Sequence, residues 1–402
     1  METMRIVSVI GSRPIGLLLV VSAPALAGAQ QVRVGGEVRP RYEFRDSAPA
    51  PSQDFTSMRV RAELSATLER GVGALVQIQD VRLWGEEPST IADSRNDDIG
   101  LHQGWAEIKI GSTPAWNVRA GRQEITFAEE RLVGTLDWNQ HGRAFDGLRA
   151  AVRGGFGSLD VFGVRLADAT APSVPHDADF GGAYAQLAGV SGNKLDAYVL
   201  HIRVADVGTQ ETTIGGRLFG KHGVGEYRLE GAYQVGERSN RDLEAFLLAA
   251  QLTAALAQNR ARVTLWYDYL SGSTTPGTGT DNAFSTLFAT NHKFYGIADL
   301  FTDIPAHTGG HGLQDAALKL ALVPVTNLQL AIDGHAFRVA HQGTLASARL
   351  GEELDAVATY PYSANLVAAG GVAWVLGGPA LESLNRLQGD LTWVYVTFDV
   401  KF

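Results

Sequence analysis

The 402-residue chain contains no cysteine. That excludes a disulfide scaffold, a thiol nucleophile and a cysteine-ligated zinc site. Lysine is scarce: of 34 basic residues six are Lys and 28 are Arg. Lys carries a point charge, whereas Arg offers a planar five-donor fork that matches carboxylates. An arginine-rich composition also accompanies a GC-rich genome, so the bias is not by itself a site. Excess positive charge is absent too. The formal net charge is −9, which argues against a nucleic-acid partner. Beyond the N-terminus no run of 18 apolar residues occurs, which excludes a bundle of membrane-spanning helices. Helical periodicity is nearly missing as well; only LEAFLLAAQLTAALAQ (243–258) would suit a helix in isolation.

What is present is ordinary in amount and unusual in arrangement. Hydrophobic residues make up 45% and mean hydropathy is −0.03, values that a water-soluble protein would also show. The N-terminus, METMRIVSVIGSRPIGLLLVVSAPALAGAQQ, has sparse basic charge, an apolar IGLLLVV core and then small residues. Ala27-Gly28-Ala29 fits a signal-peptidase site, so residues 1–29 are expected to be a secretory leader and 30–402 the exported protein.

The exported part alternates. In QVRVGGEVRPRYEFRD, Arg33, Glu37, Arg39, Arg41, Glu43 and Arg45 are odd-numbered, whereas Val32, Val34, Val38, Tyr42 and Phe44 are even. Successive strand side chains point to opposite faces, so one face is charged and the other apolar. The next segment sets Arg59, Arg61 and Glu63 against Met58, Val60, Ala62 and Leu64. Segments 224–236, 259–270 and 326–338 do the same, while 158–168 and 242–254 are ambiguous. Context makes the second of these a strand. Around Asp80-Val81-Arg82 the parity breaks, suggesting a bulge or a stretch above the apolar band. About eighteen such segments can be counted, from 32–45 to 391–402.

Connections alternate between long and short. Long ones lie near 46–54, 85–99, 124–142, 168–180, 271–312, 339–349 and 377–390; short ones include Arg70-Gly71-Val72 and Ser112-Thr113-Pro114. This is the pattern of a transmembrane antiparallel β-barrel, with tight periplasmic turns, longer outer loops and, for an even strand number, both termini periplasmic. A soluble sandwich also alternates, but it would not need eighteen long strands each charged on one face. The final strand, LTWVYVTFDVKF, puts Val394, Val396, Phe398, Val400 and Phe402 on one face, as the closing seam of such a barrel would. A terminal Phe in this phase resembles the signal read by the outer-membrane barrel assembly machinery, so Phe402 is assigned as an assembly signal.

By parity Arg39, Arg41, Arg59, Arg61, Arg119, Arg149, Arg217, Arg260 and Arg262 point inward, with Glu63 and Asp268 among the inward acids. A barrel this wide holds water, so its inner face should be polar. The inward residues can stiffen the wall as cross-strand ion pairs or line a path for anions.

The most specific text is GRQEITFAEERLVGTLDWNQHGRAFDGLR (121–149). Its GRQ, R-L-V-G, D-W and G-R-x-F-D-G-L-R elements resemble those of the alginate-export family of outer-membrane barrels. IQDVRLWGE (78–86), GHAFR (334–338), GEELDAVATY (351–360) and the closing YVTFDVKF are similar too. The resemblance covers essentially the whole exported chain. It implies an 18-stranded channel through which an anionic polysaccharide leaves the cell; outer-membrane lipid and the assembly machinery are the expected partners of such a barrel, and a monomer is its expected state. The long loop 124–142 carries Glu129, Glu130, Arg131, Asp137 and His141, with Arg143 just beyond it. Such a loop either packs on the rim or folds into the lumen and sets selectivity; the resemblance implies the second.

Other chemistry finds little support. There is no G-x-S-x-G, and no motif spacing of Ser, His and Asp, so no catalytic residue is assigned and no enzyme is expected. His307 and His311 lack further ligands, and TTPGTGTDN lacks the G-K-[ST] ending of a phosphate loop, so no metal and no cofactor are expected. The Gly/Thr-rich segment 271–312 reads as a mobile external loop. The alternative function is a general porin for sugars or organic acids.

Overall fold

The computed structural model describes residues 29–47, 49–86, 99–171, 174–190 and 192–402. The expected leader lies outside them, except Ala29, as does most of the connection 85–99. Eighteen strands follow one another: β1 (Ala29–Asp46), β2 (Gln53–Leu68), β3 (Val72–Leu83), β4 (Gly100–Ile110), β5 (Ala115–Gln123) and β6 (Phe145–Gly154). Then come β7 (Gly157–Ala167), β8 (Ala178–Val190), β9 (Asn193–Val204), β10 (Thr209–His222), β11 (Gly225–Arg238) and β12 (Arg241–Leu256). The set ends with β13 (Ala261–Leu270), β14 (Leu313–Val325), β15 (Leu328–Arg338), β16 (Arg349–Pro361), β17 (Leu366–Gly377) and β18 (Leu391–Lys401), with a short helix α1 (Pro379–Ser383) before the last.

Each strand pairs antiparallel with its neighbours in the chain, and β1 pairs with both β2 and β18. The sheet therefore closes on itself, and no edge is left to pair with another chain. Strand β12 is the helix-like segment 243–258: β11 and β13 claim its backbone along almost its full length. Parity follows the sequence. Val34, Leu64, Val76, Leu148, Ile214, Leu229 and Leu248 are exposed on the outer wall, and Glu37, Arg59, Glu107, Asp196 and Glu230 are buried inside. Only a closed wall can show this much apolar surface outward while satisfying every ladder hydrogen bond, as hydrocarbon demands.

At Asp80-Val81-Arg82 the pairing with β2 is unbroken, so there is no bulge on that side; the register shift lies at Gln77/Ile78, against β4. Asp80 shares the face of Val60, and it pairs with Arg82 at 2.7 Å. The charges thus sit on the outer face near the long-loop rim. At the seam Phe402 donates from its N–H to the Gly36 carbonyl at 3.1 Å, and Gly36 donates back at 2.9 Å. The Phe402 ring lies so close over Gly36 that a Cβ there would come within 2.6 Å of it. Any residue but glycine would push the terminal ring away.

The expectation of a uniformly polar inner face needs correction. Several inward residues of β6–β9, including Phe145, Phe162, Phe180, Tyr184 and Leu200, are apolar and buried. They pack on Phe127 and Phe288, which belong to the long loops. Segment 271–312, read from sequence as a mobile external loop, is instead packed core: Phe284, Phe294, Tyr295, Phe301 and Ile304 are buried. It touches the wall at β1 through Arg45 and at β16 through Glu353, whose carboxylate accepts from the Ala298 N–H at 2.8 Å. This explains the ambiguous segments. Strands β7 and β12 face lipid on one side and a loop-filled interior on the other, so apolar residues occur on both faces.

Candidate permeation path

Two segments cross the barrel interior. The first, 124–144, is anchored at both sides. Arg131 meets Asp268 of β13 at 2.5 Å and Glu230 of β11 at 3.1 Å, and its guanidinium lies 4.4 Å from the Phe294 ring centroid. Glu129 pairs with Arg217 at 3.2 Å and with Arg228. At the other side Asp137, Trp138, Asn139 and Gln140 lie against β1 and β2. Arg41 donates to the Trp138 carbonyl at 2.7 Å, and Arg39 to the Gln140 side chain at 3.0 Å and the Asn139 carbonyl at 3.2 Å.

The second segment, 271–312, docks on the first. Val133 and Phe288 form a short parallel bridge. Glu130 bonds to Thr290 and pairs with Lys293 at 2.9 Å. Arg143 donates to the carbonyls of Gly134, Phe288 and Ala289, so it ties the two segments together and does not face the path as a constriction residue would. Together they occupy much of the interior; among the described residues, open space remains along the β1–β3 wall.

Two cavities remain there, one on each side of Trp138. The upper, about 690 Å³, is lined by Arg41, Glu43, Ser57, Val81, Gln140 and His141 among others. The lower, about 670 Å³, is lined by Glu37, Arg39, Arg59, Arg61, Asp137, Lys293 and Lys401 among others. Trp138 borders both and is rigidly held. His292 stacks on it at 4.0 Å, Arg41 lies over the ring at 4.3 Å, and its indole N–H donates to Asp299 at 3.1 Å. Asp299 also meets His292 at 2.8 Å, closing a triangle. With both faces covered, Trp138 is a fixed post between the cavities rather than a stacking platform.

The wall beside the post is a ladder of four arginines. The register sets Arg39 opposite Arg59. Like charges directly opposed are unfavourable, and interleaved acids offset them. Arg59 donates to both oxygens of Glu37 at 2.6 and 2.8 Å and contacts Asp137 at 2.9 Å. Arg61 contacts Asp137 at 3.5 Å and Glu124 at 3.7 Å, and lies 2.9 Å from His102. Arg41 pairs with Glu43 at 2.8 Å. Burial alone would raise the Asp137 carboxyl, but the charges of Arg59, Arg39 and Arg61 outweigh it and hold the group below the usual carboxylate range.

The other inward arginines lie away from this path and are wall pairs: Arg119 with Glu107 at 2.7 Å, Arg149 with Asp160 at 2.7 Å, and Arg262 with Glu226 at 2.5 Å. Glu63 accepts from Gln77 at 2.9 Å. Arg260 is a correction. It is not in the wall but in the exposed turn after β12, where it donates to the Val323 carbonyl at 3.1 Å and to that of Pro324. Parity counted through a tight turn fails, because the turn residues do not alternate. Trp138, His292 and Asp299 also belong to the site and are not singled out by sequence pattern. Trp138 stood in the quoted D-W element, whereas the pairing of residues 154 apart left no local signal.

A closed 18-stranded wall with an apolar outer face, crossed inside by two loops that leave a polar path, defines an outer-membrane β-barrel channel. The chain belongs to the alginate export family, whose model matches residues 30–368. Among curated proteins none matches the sequence. Solved structures share the architecture. Pseudomonas aeruginosa OccK3 (OpdO) is 16% identical with a TM-score of 0.64, covering 93% of this chain and 96% of its own. OccK5 (OpdH) from the same organism is 12% identical with a TM-score of 0.65, covering 93% and 99%. OpdK, solved with vanillate, is 11% identical with a TM-score of 0.63, covering 93% and 99%. These identities carry the fold of outer-membrane porins and no more. The protein is a component of the Gram-negative outer membrane.

Proposed function

We propose that this channel passes anionic saccharide, with an alginate-like polyuronate as its permeant, along the β1–β3 wall and past Trp138. The observation that carries this reading is the ladder Arg39, Arg41, Arg59 and Arg61 running between the two cavities. A polymer with one carboxylate per sugar meets successive guanidinium forks there, and each contact stays weak because neighbouring acids compete. The tight-turn rim, which also carries both termini, faces the periplasm in this reading, and residues 1–29 are removed on export. N-terminal sequencing of the membrane-extracted protein then begins at Gln30; an intact Met1 refutes the leader.

The test of the permeant is planar-bilayer conductance with tetramannuronate, glucuronate and maltotetraose. Block and passage of tetramannuronate above maltotetraose supports the polyuronate. Passage of glucuronate with no response to the tetramer favours a small-solute porin. That second reading has its own support, because OpdK was solved with vanillate, a small carboxylate, and shares the fold.

A further inference from the structure

The three arginines that face the lower cavity share one partner. Asp137 lies 2.9 Å from Arg59, 3.5 Å from Arg61 and 3.6 Å from Arg39. Its side chain is 51% exposed, whereas theirs are 0%, 8% and 9% exposed. From the cavity, then, a solute meets Asp137 before it meets the guanidinium groups. We infer that Arg39, Arg59 and Arg61 form a carboxylate-binding site, and that Asp137 is its built-in occupant, displaced by carboxylates of the permeant. The inference rests on the proposed anion path and names the site on it.

Several features suit a side chain that swings while its backbone stays. The segment around it is pinned through main-chain groups: Arg59 donates to the Asp137 carbonyl at 3.4 Å, and Arg41 and Arg39 hold the next two carbonyls. None of these bonds depends on the Asp137 carboxylate. Leu136, just before it, sits in the left-handed region at φ 50°, an uncommon conformation for a residue with a side chain. Gly142 lies against the tip of Arg61: a Cβ there would come within 2.8 Å of its Nη2. The backbone is thus fixed at the distance where a carboxylate reaches three forks, and the lower cavity gives it somewhere to go.

Glu37 does not do the same work. It is buried beside Arg59 on the wall and holds the guanidinium from β1, while the half-exposed Asp137 meets it from the loop. The exchange is of like for like: one carboxylate leaves three guanidinium groups as another arrives, with no net change of charge in the site. A polymer therefore passes without pulling bare arginines into the path, which keeps its exit fast.

The experiment compares wild type, D137N and D137E in planar bilayers, with heat-modified mobility confirming that each barrel assembles. Glucuronate is the titrant and maltose the neutral control. Removing the occupant's charge should tighten glucuronate block at least tenfold in D137N and move the KCl-gradient reversal potential toward chloride. D137E should stay near wild type, and maltose should not discriminate. D137S repeats the test where D137N does not assemble. Glucuronate block unchanged or weaker in the uncharged variant overturns the inference, even if wild type responds to tetramannuronate. Tighter block in D137N with a wild type indifferent to tetramannuronate sustains the site and removes the polymer reading.

Discussion

Arg131 is the residue on which the inner architecture turns. It is buried between Asp268 and Glu230, with Phe294 beneath its guanidinium. Removing one member of a buried pair leaves the others charged and unpartnered, at a cost of about 3–5 kcal/mol. Arg131→Met should therefore release the 124–144 segment and lower barrel stability by about that amount, read as a shift in urea midpoint in detergent. A midpoint equal to wild type would mean that the segment is anchored elsewhere. Asp137 behaves differently with pH. Its folded carboxyl is held below the ordinary range, so its contribution is present above the unfolded value and is lost as pH falls through the folded one. Selectivity should therefore be flat from pH 7 to about 5 and change only below about 4, the ordinary aspartate value. A reversal potential that drifts between pH 7 and 5 would show that another group sets the selectivity.

Two strands show how elements read their surroundings. Strand β1 alternates cleanly because lipid lies outside and a polar path inside. Strand β12 does not, because Leu243, Ala245 and Leu247 are buried inside while Phe246 and Leu248 face outward. Changing Leu247 to Asp should thus damage folding as much as a charge on the lipid face would, whereas an added charge at an inward position beside the path should not. Recovery of heat-modifiable barrel in vesicles measures the difference; equal recovery of Leu247→Asp and wild type would argue that the loop core beneath β12 is dispensable. The seam strand β18 gives the other element-scale expectation. Deleting Phe402 removes the ring over Gly36 and two main-chain bonds, and should lower the assembled fraction in outer membranes. Normal assembly of the deletion would remove the terminal residue from the assembly signal.

At the scale of the molecule the channel is a wide wall made narrow by its own loops. An 18-stranded ring is large enough for a water-filled channel, yet here two packed loop segments cross it, and the two cavities of the proposed path lie beside β1–β3. Replacing residues 281–308 with a short Gly-Ser linker should enlarge single-channel conductance severalfold and weaken discrimination between charged and neutral saccharides. Unchanged conductance would mean that segment 124–144 alone sets the bore. The paired state of the arginines has a consequence at this scale too. The proposed anion preference rests on the β1–β2 ladder, whose shared partner Asp137 is half exposed, whereas Arg119, Arg149, Arg217 and Arg262 pair with wall carboxylates away from the path.

The sequence by itself determined the wall. Strand number, parity and the alternation of turn lengths are local properties, since period two and tight turns are written in neighbouring residues, and lipid enforces them on every strand. The inward direction of Arg39, Arg41, Arg59 and Arg61 followed from the same rule. Only the tertiary structure decided what those residues meet. Asp137 reaches Arg59 across 78 positions and Arg131 reaches Asp268 across 137, and such meetings leave no periodicity to read. The fate of 271–312 was hidden for a related reason: a Gly- and Thr-rich stretch with scattered aromatics is open to solvent in one setting and core in another. Enclosure by the barrel makes it core, because there its aromatics find a second apolar surface on which to close.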